Sequence, residues 1–96
     1  MSARHDWWPC VTTVARRYRH RVGRPDLSPR VVMEVEAVET ALARYDEGSP
    51  QRALIQRRLA GATIVEAAVK TGYSVDHARR INREFLYQVA KGLGYE

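Results

Sequence analysis

Helix punctuation recurs along this chain at intervals too short for any one helix to run long. Ser28-Pro29 and Ser49-Pro50 each set a hydroxyl N-cap before a first-turn proline, the position where a missing N–H costs nothing. Thr63-Ile64-Val65-Glu66 is a capping box, in which the threonine hydroxyl and the glutamate carboxylate each satisfy a free backbone N–H across the first turn. Gly48 and Gly61 are stop signals, and Gly72 is followed two residues later by another N-cap residue, Ser74.

Apolar residues between these marks repeat at helical spacing. Trp7, Val11, Val14, Tyr18 and Val22 share one face of a helix from about residue 7 to 22, with Asp6 able to cap its start and Pro9 inside its first turn. Val31, Val35, Val38, Leu42 and Tyr45 do the same from about 29 to 46, where Glu34, Glu36 and Glu39 suit the positive end of the helix dipole. Leu54, Ile55 and Leu59 are the expected buried residues of a third helix, about 50 to 60. A short fourth helix begins at Ile64, and a fifth begins at Val75 and carries Ala78, Ile81, Phe85, Val89 and Gly92 on one stripe. No segment reads as a strand. The expectation is an all-α fold of about five helices in a single domain over residues 1–96, with basic and acidic helices in 7–47 and the remaining helices in 50–92.

The corner at Gly72 decides the functional reading. One helix from 64 to 90 with a tolerated glycine is the alternative, at a cost of about 1 kcal/mol relative to alanine. Ser74 argues against it, because a new cap there marks a new start. A helix-turn-helix needs a small residue, a glycine free to adopt positive φ and an apolar inward face, which Ala68, Gly72 and Val75, Ala78 and Ile81 supply, with Tyr73 covering the corner. At about 100° per residue, Phe85, Val89 and Ile81 fall within about 60° of Ala78, whereas Arg79, Arg83, Asp76 and Arg80 lie about 100° to 200° round. Ser74, Val75, Asp76, Arg79 and Arg80 are therefore candidates for base edges, and Arg83 for base or phosphate. Thr63 and the free N–H groups behind it can hold a phosphate, though capping explains Thr63 equally well.

Charge is segregated along the chain. Residues 1–26 carry six Arg against two Asp, for +4; residues 27–48 carry two Arg against five acids, for −3; residues 49–96 carry six Arg and two Lys against four acids, for +4. Lys70 and Lys91 are the only lysines among 16 basic residues, and arginine's planar fork suits phosphate and guanine. A GC-rich genome would produce the same bias. Arg57, Arg58, Arg16 and Arg17 are further candidates for phosphate contact, with Arg16, Arg17 and Arg19 alternatively pairing with Glu34 and Glu39.

The opening WWPCVTTVARRYRHR, the LSP that starts the acidic EVEAVETAL helix and the terminal half RALIQRRLAGATIVEAAVKTGYSVDHARRINREFLYQVAKGLGY resemble small phage and prophage transcriptional activators of the RinA type. The run from Gln51 through Ala68, Gly72, Ser74 and Arg80 also resembles the promoter-binding fourth region of bacterial sigma factors, although the other sigma regions are lacking. These resemblances imply an activator of late genes that binds double-stranded DNA upstream of promoters in the cytoplasm of a bacterial host cell, with RNA polymerase as a further candidate partner. Asp76 departs from that pattern, since it would repel phosphate; it either accepts from a cytosine amino group or pairs with Arg79 or Arg80.

Other function classes find less support. His5, His20 and His77 are scattered, and no paired-carboxylate motif, HExxH or glycine-rich phosphate loop occurs, so neither an enzyme nor a metal or cofactor site is expected. A single cysteine, Cys10, excludes an internal disulfide and is expected to be buried or inert. No apolar run approaches the roughly 20 residues that span a bilayer, and MSARHDWW is not a secretory start. The stripe from Val31 to Tyr45 leaves room for a helical protein-interaction module or a homodimer, and the DNA-recognition subunit of a phage packaging motor is a rival within the DNA-binding class.

Overall fold

The computed structural model describes residues 7–24 and 27–95, which form five helices and no strand. In chain order these are α1 (Trp8–Arg21), α2 (Pro29–Leu42), α3 (Pro50–Leu59), α4 (Ile64–Thr71) and α5 (Val75–Gly92). Four of the five starts are fixed by the side chains expected to fix them. Ser28, Ser49 and Ser74 have extended backbone, and their hydroxyls accept from the N–H groups of Val31, Arg52 and His77. At α4 both halves of the capping box form: Glu66 N–H donates to Thr63 Oγ1 at 3.1 Å, and Thr63 N–H donates to Glu66 Oε1 at 2.9 Å. The cap expected from Asp6 lies outside the described residues; α1 follows Trp7 with no side-chain cap and with proline in its first turn.

Two ends differ from the periodic reading. α2 stops at Leu42 rather than near residue 46, because Arg44 and Tyr45 N–H groups donate three residues back, to Ala41 and Leu42, and tighten the chain out of α geometry. Tyr45 still turns its ring toward Phe85, with centroids 6.4 Å apart. At the end of α1, Val22 lies just past the helix and is exposed, so it adds nothing to the apolar face.

One core joins all five helices. It contains Val11 and Val14 of α1, Ala37, Val38, Ala41 and Leu42 of α2, Leu54, Ile55 and Leu59 of α3, Ala67 and Ala68 of α4, and Ala78, Ile81, Phe85, Leu86, Val89 and Ala90 of α5. α5 is its hub and packs against each of the other four helices. Buried alanines let the backbones approach, and at the far end of α5 the contact is tight: a Cβ placed on Gly92 would lie 3.2 Å from Ala37 Cβ. Aromatic rings tie the start of α1 to the same helix and to the segment after it, since Trp8 packs on Tyr87 of α5 and Trp7 stacks on Tyr95 beyond its end, with centroids 5.2 and 5.7 Å apart.

Of the two alternatives for Cys10, burial is excluded: it is exposed on the first turn of α1, because it lies off the face that carries Val11 and Val14. No helix of the described residues is long and apolar enough to cross a membrane.

Candidate nucleic-acid interface

The joint between α4 and α5 is built from Gly72, Tyr73 and Ser74. Gly72 closes α4 at φ +81°, a left-handed conformation that costs any residue with a Cβ, and both its N–H and that of Tyr73 donate to Ala68 O. Ser74 then caps α5. Gly72 therefore separates two helices, α4 lying against α3 and α5 through Ala67 and Ala68. Tyr73 packs on the core beside the joint, with its ring edge-on to His77 at 4.8 Å.

Beyond the joint, Ser74, Asp76, Arg79, Arg80 and Arg83 are all exposed, while Ala78, Ile81 and Phe85 are buried behind them. Val75 differs from these candidates, being half-buried against the core. Asp76 faces Arg79 at 3.8 Å, one turn away on the same helix. Both side chains are well exposed, so this pair contributes little to stability and leaves both groups free to exchange partners. Among the described residues no acid pairs with Arg80 or Arg83.

Thr63 is exposed, but its hydroxyl and its N–H are both engaged by Glu66. The Thr63 N–H donated to its carboxylate holds the Glu66 carboxyl below the ordinary glutamate range, with the Thr63 side chain adding a smaller effect. A phosphate approaching the start of α4 would meet that carboxylate.

The arginines singled out elsewhere separate into two groups. Arg16 and Arg58 line one cleft, together with Arg19 and Asn82, between α1, α3 and α5. Arg17 lines a different groove between α1 and α2, and Arg57 is exposed at the end of α3 and lines neither. Arg58 is half-buried, and its Nη1 donates to Ala62 O at 2.7 Å, which braces the turn into α4. The acids of α2 are held by other residues than Arg16, Arg17 or Arg19. Glu34 pairs with Arg21 and Arg30, and Glu39 accepts from the Tyr18 hydroxyl at 3.1 Å. Tyr18 and Arg21 are the half-buried members of α1 on that side, so they reach the acids first. Burial, reinforced by Glu39, raises the Tyr18 hydroxyl above the ordinary tyrosine range.

Asn82 was not singled out by the periodic reading, which sorted α5 only into core and opposite face. Its signal was its position, three residues after Arg79 and four before Leu86, on the flank between the two. Among the described residues no group of three or more His, Cys, Asp or Glu side chains is arranged to hold a metal ion. No protein-family model matches the chain, and no curated protein and no solved structure matches it either.

Proposed function

We propose that the chain is a sequence-specific binder of double-stranded DNA that regulates transcription, with α4 and α5 forming a helix-turn-helix and residues 75–83 of α5 entering the major groove. The observation that carries this reading is the first half of α5. Ser74, Asp76, Arg79, Arg80 and Arg83 are exposed together there, on a helix whose opposite side is anchored by Ala78, Ile81 and Phe85. A rigid helix with a free arginine-rich start meets the physical requirement for direct readout, because guanidinium forks bond the acceptors of guanine bidentately. Asp76 adds an acceptor suited to a cytosine amino group, and Arg79 within reach offsets its repulsion of phosphate.

Activation of phage late genes, with contact to RNA polymerase, rests on the resemblance of the basic WW helix and the terminal half to activators of the RinA type. A helical protein-interaction module is the second reading. It is favoured by Val65 and Val69, exposed by 49% and 72% one turn apart on α4.

Selection of bound duplexes from a random pool tests the first reading directly. A recovered consensus site is expected. Neutralising five phosphates would give log K a slope of about −4.5 against log salt. Arg79→Ala or Arg80→Ala is expected to cost about 1–3 kcal/mol and relax the consensus at one position, if that arginine bonds a base edge. Binding indifferent to salt, or unchanged in the triple variant Arg79→Ala/Arg80→Ala/Arg83→Ala, overturns the reading and leaves the protein-interaction module.

A further inference from the structure

The cleft between α1, α3 and α5 is an uncompensated cationic site. It is about 460 Å³ in volume, the size of a small-ligand pocket rather than of a single bound ion. Arg16, Arg19 and Arg58 line it, and no acidic residue does. Arg19 Nε donates to His20 Nε2 at 3.1 Å and Arg58 Nη1 to the Ala62 carbonyl, so neither of these guanidinium groups is matched by a carboxylate. The opposite flank of α1 is different, because Arg21 there is matched by Glu34. Arg58 Nε is also buried with no partner among the described residues, so this cation is only partly satisfied within the fold. Three guanidinium groups gathered without a carboxylate repel one another, and an anion seated among them removes that repulsion.

The position of the cleft indicates which anion. Asn82 forms part of its α5 wall, three residues after Arg79 and beside Arg83. Positions 79, 82, 83 and 86 follow the spacing of one helix flank, so a strand lying along the exposed arginines of α5 continues over the cleft. We infer that this cleft seats a sugar-phosphate unit of the DNA backbone beside the segment read by α5, which makes α1 a second DNA-contacting element. The inference rests on the proposed DNA-binding function. It gives Arg16, Arg19 and Arg58 a positioning task without sequence information, with Asn82 as a neutral donor at the edge.

The test uses the full chain and two duplexes, one carrying the selected site and one unrelated, titrated over a range of salt. Arg16→Gln/Arg19→Gln removes two exposed cations, and Arg30→Gln/Arg44→Gln removes the same net charge outside the cleft. The cleft variant is expected to weaken both duplexes by a common factor, about tenfold or more, and to flatten the log K against log salt slope by about 1.8. The control variant is expected to keep the wild-type slope within about half a contact. If the wild type binds the selected site and the cleft variant keeps its affinity and slope, the inference falls and the reading of α5 stands. If the wild type binds neither duplex, both fall. If both variants weaken binding equally, general charge explains the result and the cleft has no special part. Circular dichroism of each variant verifies that the helices are intact.

Discussion

At the scale of single residues, the clearest lesson concerns side chains whose task is set by the backbone next to them. Glu66 is exposed, yet the Thr63 N–H donated to its carboxylate, with a smaller effect of the Thr63 side chain, holds its carboxyl below the ordinary glutamate range. A carboxyl lowered in the folded state contributes stability that is present above its unfolded pKa, about 4.3, and that disappears as pH falls through the lower folded value. Glu66→Gln keeps an acceptor for Thr63 N–H but cannot titrate. The melting temperature of the wild type should therefore exceed that of Glu66→Gln near neutral pH, and the gap should close on acidification to about pH 3. A gap independent of pH would mean that the carboxylate charge adds nothing. The capping box was legible because both partners lie within four residues of each other. The partners of Glu34 and Glu39 were not, because which of several basic residues on α1 reaches α2 depends on the azimuth of one helix against another.

At the scale of elements, the starts of helices were readable and some of their ends were not. A hydroxyl cap followed by proline is a local instruction, whereas the end of α2 at Leu42 has no such mark: the chain tightens into three-residue bonds there, and Arg52 of α3 then holds the turn by donating to Tyr45 O at 3.1 Å. The corner between α4 and α5 was readable for the first reason, and it supports a test by sign. A Cβ on Gly72 would meet no atom within 4 Å, so the cost of a substitution arises from φ alone. Gly72→Ala is expected to lose about 1–2 kcal/mol, with Gly72→Asn losing less, measured from urea midpoints. In a continuous helix the same alanine would gain about 1 kcal/mol. The opposite signs leave no overlap between the two architectures.

At the scale of the whole molecule, the α5 that carries the candidate base-reading residues is also the one on which the rest of the protein is assembled. Its exposed start and buried second half were both legible from periodicity. Its role as hub was not, because nothing local to residues 75–92 states that α1 and α2 close over it. Phe85, Leu86, Val89 and Ala90 are buried, with the tight approach of Gly92 to Ala37 of α2 and the packing of Tyr87 against Trp8 of α1 alongside them. Removing α1 and α2 exposes this second half of α5 to water and leaves about 48 residues, near the size at which a helical chain without metal or disulfide loses independent stability. Residues 48–95 alone are therefore expected to show weak helical circular dichroism, no cooperative thermal transition and no site-selective DNA binding, while the full chain melts in one step. A fragment that melts cooperatively and selects the same site as the full chain would make the N-terminal helices an accessory. Without such behaviour, the basic and acidic helices are the scaffold that holds α5 in one orientation, and its exposed arginines depend on residues more than 60 positions earlier in the chain.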